Sequence, residues 1–393
     1  MRRTFPARRA PEAQSISELR HLARRRLPGF VFEYVEGGAE DEVTLRRNRE
    51  AFEGLALVPR ALRDVAQVDG RTRLFEDELS LPLVVAPTGG NGLLHSNGDL
   101  AIARAARSLG IPFSQSTASN ARIEDIAGLD GLRHWFQLYV FRDRSIVDGV
   151  IDRAAAAGVE ALILTVDANV FGNREWDRRN YARPSVPRLS RKLETLRHPR
   201  WMRDVLMPGL PSLEVIQDFL PEDKRSLNAA TSWSRDQMDP SLSWRDLDRI
   251  RDRWKGRLIV KGLLSPEDAV RARDAGADGV VLSNHGGRQL DGAVSPMQTI
   301  GKTRDMVGPD MVVLLDGGVR RGSDIAKAVA MGADAVLAGR AILYGLAAGG
   351  EAGAAHAIAI LKEELLRVLA LLGCRSVAEL NSGFSPIAAR AVT

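Results

Sequence analysis

Eight short apolar runs constrain this chain more than any other feature: LPLVVAPTG, IPFSQST, HWFQLY, ALILTVD, LIVKG, GVVLSNHGG, MVVLLDGG and AVLAGR, most closing on glycine or a polar residue. They are apolar on both faces rather than alternating, the pattern of strands buried in a parallel sheet. With Gly89, Thr117, Tyr139, Asp167, Gly262, His285, Gly317 and Gly339 taken as strand ends, the successive intervals are 28, 22, 28, 95, 23, 32 and 22 residues. All but one of these is the length of a strand plus a helix. The segments between, such as GDLAIARAARSLG, RSIVDGVIDRAAAAG, SPEDAVRARDAGA and GSDIAKAVAMGA, have helical patterning, and several start at an N-cap residue and stop at glycine. Eight such units predict an α/β fold, the closed (β/α)₈ barrel. The competing architecture, an open doubly wound sheet, gathers its ligands at one switch point. Here polar residues end nearly every strand.

The long interval holds an insertion after the fourth strand, about residues 168–242, rich in Arg and Pro. SISELRHLARRRLPGFVFEYVEGGAEDE precedes the barrel as one or two capping helices, and AHAIAILKEELLRVLALLG follows it as an amphipathic helix packed outside. Residues 1–14 are basic and read as a disordered arm, leaving 15–393 as a single domain. The arm lacks the apolar run of a secretory signal, and nowhere do some 18 uncharged apolar residues run together as a membrane-spanning helix needs. The one cysteine, Cys374, leaves no disulfide framework and no cysteine cluster for a metal. A net charge of +5 is compatible with an acidic partner or membrane surface as well as with a solvated arginine-rich exterior. The arginines are spread along the chain without a recognition motif, so no nucleic-acid role is expected.

In a parallel barrel the active site lies at the carboxyl ends of the strands. SNHGGRQLDG, after the sixth strand, puts His285 and Arg288 in one turn around a glycine pair that lets backbone approach a flat ligand. The fourth strand runs into TVDANVFGNRE, with Asp167 at the mouth and Arg174 seven residues on. An aspartate beside a histidine fixes its tautomer and stabilises the imidazolium formed when it takes a proton, as a general base requires. A helix-cap or turn role is the alternative for Asp167. Arg174 and Arg288 together suit a carboxylate, which each guanidinium can bind through two hydrogen bonds, so the substrate is expected to be a small acid. Tyr139 and Tyr34 either offer phenol hydroxyls to it or are half-buried packing residues. LLDGGVRRGSD and LAGRAIL are glycine-rich turns leading into helices, and Asp316, Gly318, Arg320, Gly339 and Arg340 there read as a phosphate-binding site. Lys261, in IVKG, points a cation into the mouth, where it would stabilise developing negative charge.

PTG, QLY, LTVD, GNRE, VKG, SNHGGRQLDG, DGGVRRGSDI and AGRAILYGLA occur in that order over residues 30–373. Through these motifs the chain resembles the FMN-dependent (S)-2-hydroxy acid oxidase and dehydrogenase family. The resemblance implies FMN as cofactor, oxidation of an (S)-2-hydroxy acid to the 2-oxo acid, a homotetramer and no metal. It implies His285 as base with Asp167 as its partner, Arg174 and Arg288 on the substrate carboxylate, and Tyr34 and Tyr139 as the two active-site tyrosines. For the flavin it implies Thr88 and Gly89 on the face, and Ser116, Gln137 and Thr165 at the polar edge. Lys261 falls near N1 and the C2 carbonyl, Ser283 along the ribityl chain, and Asp316, Gly318, Arg320, Gly339 and Arg340 on ribityl and phosphate.

Within that family, PTGGNGLL and STASNARIEDIA resemble the mandelate dehydrogenases more than the glycolate oxidases. Gly89, where many relatives carry alanine, is expected to leave room over flavin and substrate. A bulky acid such as (S)-mandelate is therefore the expected substrate. The alternatives are (S)-lactate, an oxidase that passes electrons to O2 and releases H2O2, and, from another class, a non-catalytic flavin-binding scaffold. In the insertion, Trp201, Met202, Val205, Leu206, Met207, Leu210, Leu213, Val215, Ile216, Phe219 and Leu220 lie among Arg197, Arg200 and Arg203, and proline at 199, 208, 211 and 221 interrupts them. That mixture predicts a segment lying on an anionic membrane, with a lid or subunit contact as the alternative. By resemblance the electrons pass to a membrane quinone or another acceptor, from a cytoplasmic enzyme peripheral to the inner face of the membrane.

Overall fold

The eight apolar runs form eight parallel strands that close on one another in the computed structural model, which describes residues 7–183, 186–383 and 386–388. The strands are β1 (Leu83–Val85), β2 (Phe113–Ser116), β3 (His134–Leu138), β4 (Ala161–Thr165), β5 (Arg257–Leu263), β6 (Gly279–Leu282), β7 (Val312–Leu315) and β8 (Ala335–Ala338). Each pairs with its successor, and β8 returns to β1 with Val336 opposite Leu83. One face of the strands fills the barrel interior with Val84, Trp135, Ile163, Ile259, Val281, Leu314 and Leu337. The other faces the helices, which is why the runs are apolar throughout. Below the barrel, a hairpin of Thr72–Leu74 and Asp77–Leu79 closes the floor with Leu74 and Leu79, and its Phe75 sits edge-on to Trp135.

Three helices precede the barrel, α1 (Ile16–Arg26), α2 (Gly29–Glu36) and α3 (Val43–Glu53). One then follows each strand: α4 (Gly98–Ser108), α5 (Ile123–Ala127), α6 (Arg144–Ala156), α7 (Trp244–Arg253), α8 (Pro266–Asp274), α9 (Pro296–Val307), α10 (Gly322–Ala330) and α11 (Arg340–Leu372). Their starts follow the capping chemistry visible in the sequence. Ser265 accepts from Asp268 N, while Ser243 and Ser295 form reciprocal capping boxes with Asp246 and Gln298. Helix α11 is broken at Gly349 and Gly350, the latter with φ +62°.

Two expectations need correction. Residues 7–14, read as part of a disordered arm, are ordered: Ala10–Glu12 make a turn of 3-10 helix, and Ala7, Ala10 and Ala13 are buried. Ala10 packs so tightly on α11 that a Cβ added at Gly349 would come within 2.8 Å of it. Contact between such small residues carries little hydrophobic signal in a segment dominated by arginine. Residues 1–6 lie outside the described residues. In the insertion, Trp201, Val205, Leu213, Val215, Ile216 and Leu220 are buried, not surface-facing. Trp201 Nε1 donates to Leu93 O at 2.7 Å, its ring meets Phe30 edge-on, and Arg26 pairs with Asp204. About half of the apolar set therefore anchors the insertion to its own barrel. Leu206, Met207 and Leu210 remain exposed, beside exposed Leu189, Leu193 and Leu196. Among the described residues no helix is long and apolar enough to cross a membrane.

His134, at the amino end of β3 and far from the mouth, is buried with Nε2 3.0 Å from Gln115 Oε1 and Nδ1 unpartnered. Burial pushes its pKa down to about 4. The unfolded chain then binds this proton more tightly, so stability is complete above about pH 6.5 and is lost as pH falls toward 4. Thermal melts across that window should show a shallower decline for His134→Gln than for the parent; equal slopes would clear His134 of the effect.

Candidate active site

The strand ends bring the expected residues to one mouth, and the backbone there is specialised. Register slips between Lys261 and Leu263 in β5, at Gly262 with φ +109°. A Cβ at Gly262 would lie 2.7 Å from Asp167 Cβ and Cγ, so the bare backbone is what lets Asp167 seat. After β6, His285 has φ +57° and is followed by Gly286 and Gly287 at +66° and +77°, a left-handed run that costs a non-glycine residue energy and turns the imidazole over the mouth. His285 Nδ1 lies 3.0 Å from Asp167 Oδ1. Ser283 Oγ accepts from His285 N at 3.0 Å and from Lys261 Nζ at 2.8 Å, and Lys261 also pairs with Asp316 Oδ2 at 2.8 Å.

Burial pulls the His285 pKa below its ordinary value, helped by the Lys261 and Arg174 charges and opposed by Asp167, so the ring is neutral at pH 7. Burial alone would raise the Asp167 carboxyl, but His285 and Lys261 outweigh it and hold the group ionised. Arg174 and Arg288 flank the same space. Arg174 donates to Arg288 O and Gln289 Oε1 at 3.2 and 3.3 Å, and Arg288 to Gly37 O at 2.7 Å while lying over the Tyr34 ring. Burial, with the neighbouring Arg288 charge, lowers Arg174 to about 10, and burial likewise lowers Arg288. Among the described residues neither arginine has an ion-pair partner in direct contact, so two desolvated cations face a cavity of about 880 Å³ in which Asp177 is the nearby carboxyl that acts on both. Tyr34 and Tyr139 line that cavity, and Tyr34 Oη donates to Gly89 O at 2.9 Å.

The polar groups at the Lys261 end of the cavity fit FMN, with Lys261 and Ser116 on the lining and Gln137 and Thr165 beside them but off it. Gln137, Thr165 and Lys261 stand on the adjacent strands β3, β4 and β5, with Thr165 directly opposite Lys261. Gln137 Oε1 accepts from Ser116 Oγ at 3.0 Å, whereas buried Gln137 Nε2 and Thr165 Oγ1 have no partner. Orphaned buried polar atoms are costly, and the donor and acceptor edge of an isoalloxazine ring would satisfy them. At the other end Gly318 (φ +100°), Arg320 and Gly339 line the cavity where α11 begins, and the first N–H groups of that helix offer an anion site. The Arg340 guanidinium is already engaged by the carbonyls of Val35, Gly286 and Gly37 at 2.8, 2.8 and 3.0 Å. Its contribution to a phosphate is therefore the backbone of the helix start. The Arg320 guanidinium donates to Val319 O, and Arg320 lines the cavity.

Gly89 lines the cavity as expected, yet a Cβ there would meet Ala118 Cβ at 2.7 Å. Its missing side chain serves the approach of the loop after β2 before it serves the substrate. Sequence reasoning passed over Gln289, which binds the carbonyls of Asp167 and Val170 and accepts from Gly172 N and Arg174, locking the loops after β4 and β6 together. Its position within SNHGGRQLDG was the available signal. It also passed over Asp177, a cavity-wall carboxyl raised by burial near Arg288 and Arg174.

Residues 23–385 match the family described as FMN-dependent dehydrogenase. An L-lactate dehydrogenase of Chromohalobacter salexigens is 44% identical over 367 residues, 93% of each chain. An (S)-mandelate dehydrogenase of Pseudomonas putida is 44% identical over 371 residues, 94% of this chain and 93% of that one. The crystal structure of a monotopic membrane protein, (S)-mandelate dehydrogenase, superposes with a TM-score of 0.89 at 44% identity, covering 94% and 97% of the two chains. A mandelate oxidase superposes at 0.80 with 36% identity, covering 96% and 99%. The chain belongs to the FMN-dependent dehydrogenase family. Its cofactor is FMN and its activity is that of an FMN-dependent 2-hydroxy acid dehydrogenase.

Gly262→Ala should force Asp167 from its seat and strain the backbone, costing about 1–3 kcal/mol of stability and lowering kcat. Chemical denaturation and steady-state rates measure both; a variant with unchanged kcat would show that this seat is immaterial to turnover.

Proposed function

We propose that the enzyme oxidises a bulky (S)-2-hydroxy acid of the mandelate kind to its 2-oxo acid, with His285 as the base. The observation carrying this is the neutral His285 held on the Asp167 carboxylate, set beside two buried guanidinium groups without a direct ion-pair partner in one cavity. A substrate carboxylate placed on Arg174 and Arg288 discharges that buried positive charge through charge-assisted hydrogen bonds. Tyr34 and Tyr139 close around it. His285 takes a proton from the carbinol centre or its hydroxyl, and Asp167 steadies the imidazolium. Thr88 and Gly89 would hold the flavin ring together with Ser116, Gln137, Thr165 and Lys261. Ser283, Asp316, Gly318, Arg320, Gly339 and the backbone of Arg340 would hold ribityl and phosphate. When bound, FMN supplies the two-electron acceptor.

His285→Gln should retain FMN while anaerobic bleaching by substrate slows by at least about a hundredfold; bleaching at the parental rate would remove His285 from the role. Because the base must be neutral, kcat/KM should fall as pH drops through the His285 pKa, which burial holds below the ordinary histidine value.

A bulky acid is supported by the apolar and aromatic walls beyond the clamp, Phe171, Tyr181, Leu213, Ile216 and Met238. A second reading, (S)-lactate, is favoured by a relative named L-lactate dehydrogenase at the same 44% identity. Anaerobic mixing with (S)-mandelate and (S)-lactate, following the flavin spectrum, separates the two. Faster bleaching by lactate would select the second reading, and H2O2 formed in step with turnover in air would make O2, not a membrane quinone, the acceptor.

Peripheral docking on the inner face of the cytoplasmic membrane is supported by the exposed Leu189, Leu193, Leu196, Met207 and Leu210 next to Arg188, Arg191, Arg197, Arg200 and Arg203, and by the relative described as monotopic. Apolar anchors among cations are the make-up of an interfacial segment. Co-sedimentation with anionic vesicles should fall about tenfold or more for Leu193→Glu with Met207→Glu. Equal sedimentation of parent and variant would leave the insertion a lid.

A further inference from the structure

The loop after β1 carries Thr88 and Gly89, and the loop after β2 packs directly beneath it. Gly90 N donates to Ala118 O at 3.2 Å, and the Gly89 backbone approaches Ala118 as closely as a missing Cβ allows. One carboxylate outside the cavity joins the two loops. Asp99, in the first turn of α4 and 1% exposed, accepts from Asn91 Nδ2 through Oδ1 at 2.8 Å and from Asn120 N through Oδ2 at 2.9 Å. Asn91 in turn donates to Thr88 O at 3.1 Å and accepts from Thr88 Oγ1 at 3.0 Å. Asn120 accepts from Gly92 N at 2.8 Å and donates to Ser212 O in the insertion, while Glu214 N donates to Ser119 O at 3.1 Å. An unbroken series of hydrogen bonds thus runs from Thr88 at the flavin site, through Asp99, to the insertion.

We infer that Asp99 is a positioning residue that sets where Thr88 and Gly89 lie against bound FMN and makes that setting depend on how the insertion is seated at Ser212. The chemistry requires a carboxylate. Both oxygens face N–H donors, so an asparagine of the same shape would turn an NH2 against either Asn91 Nδ2 or Asn120 N. Both donors come from loops with no other buried acid to take them among the described residues. Burial in this site raises the Asp99 pKa, and hydrogen bonds from Asn120, Asn91 and Ser119 limit the rise to about 6. The group therefore stays ionised at pH 7 because its donors are in place.

The test uses holoenzyme carrying Asp99→Asn, with Asn91→Ala and Asn120→Ala as milder variants acting on either arm. The readouts are the visible flavin spectrum, the rate of FMN release on dilution, and kcat against KM. Asp99→Asn should shift the flavin bands, release FMN about tenfold faster and lower kcat about tenfold, the worth of one charge-assisted hydrogen bond. KM should hold, since Arg174 and Arg288 are untouched. Asn91→Ala should reproduce the spectral shift, and Asn120→Ala should do so through the insertion arm. If Asp99→Asn melts earlier yet keeps the parental spectrum, FMN release and kcat, Asp99 only supports the fold and the inference fails. Should that variant not fold, parental spectra and FMN release in both asparagine variants would overturn it equally. The spectrum and FMN release need no substrate, so a hydroxy acid panel that disappoints the proposed function leaves this test intact.

Discussion

The hydrogen bond from His285 to Asp167 rests on an absence, the side chain that Gly262 does not have. A side chain at residue 262 would push a Cβ into Asp167. The register slips at that position, and the positive φ that accompanies the slip selects glycine. His285 needs the converse concession, a left-handed backbone accepted by a residue with a side chain. Two local departures from ideal geometry on neighbouring strands therefore meet to make one pair, and the well-packed barrel around them bears the cost.

Charge explains much of the remaining mouth. Lys261 is matched by Asp316, and the Asp167 carboxylate is held by neutral His285. Arg174 and Arg288 have no carboxylate in direct contact, only Asp177 nearby, and burial is unfavourable for both. The free protein holds that strain by giving the guanidinium N–H groups to the Arg288 and Gly37 carbonyls and to Gln289. An anionic ligand placed there would relieve it, which is the ground for proposing that these two arginines select acids.

The insertion shows how one composition can serve two purposes. Its apolar residues are spaced irregularly among arginine and proline, and no periodicity separates those facing inward from those facing out. Tertiary contacts divide them. Trp201, Val205, Ile216 and Leu220 seal the insertion against the barrel and α2, while Met207 and Leu210 stay on the surface. Because Ser212 and Glu214 also bond to the loop after β2, the insertion is structurally continuous with the cavity it covers.

The barrel was legible in the sequence because closure demands that every strand be apolar on both faces, and eight runs of that kind at near-regular spacing have few other solutions. The site residues were legible for a related reason: His285, Asp167, Lys261 and Arg288 are polar residues placed where such runs end. The tertiary structure alone decided what depends on contact between distant segments. That includes the burial of Ala7, Ala10 and Ala13, the engagement of Arg340 by three carbonyls, the direction in which a Cβ at Gly89 would point, and the role of Asp99 between two loops. Linear patterning records hydrophobicity and local turn preference, whereas these features are set by which atoms of remote residues come within a few ångströms of one another.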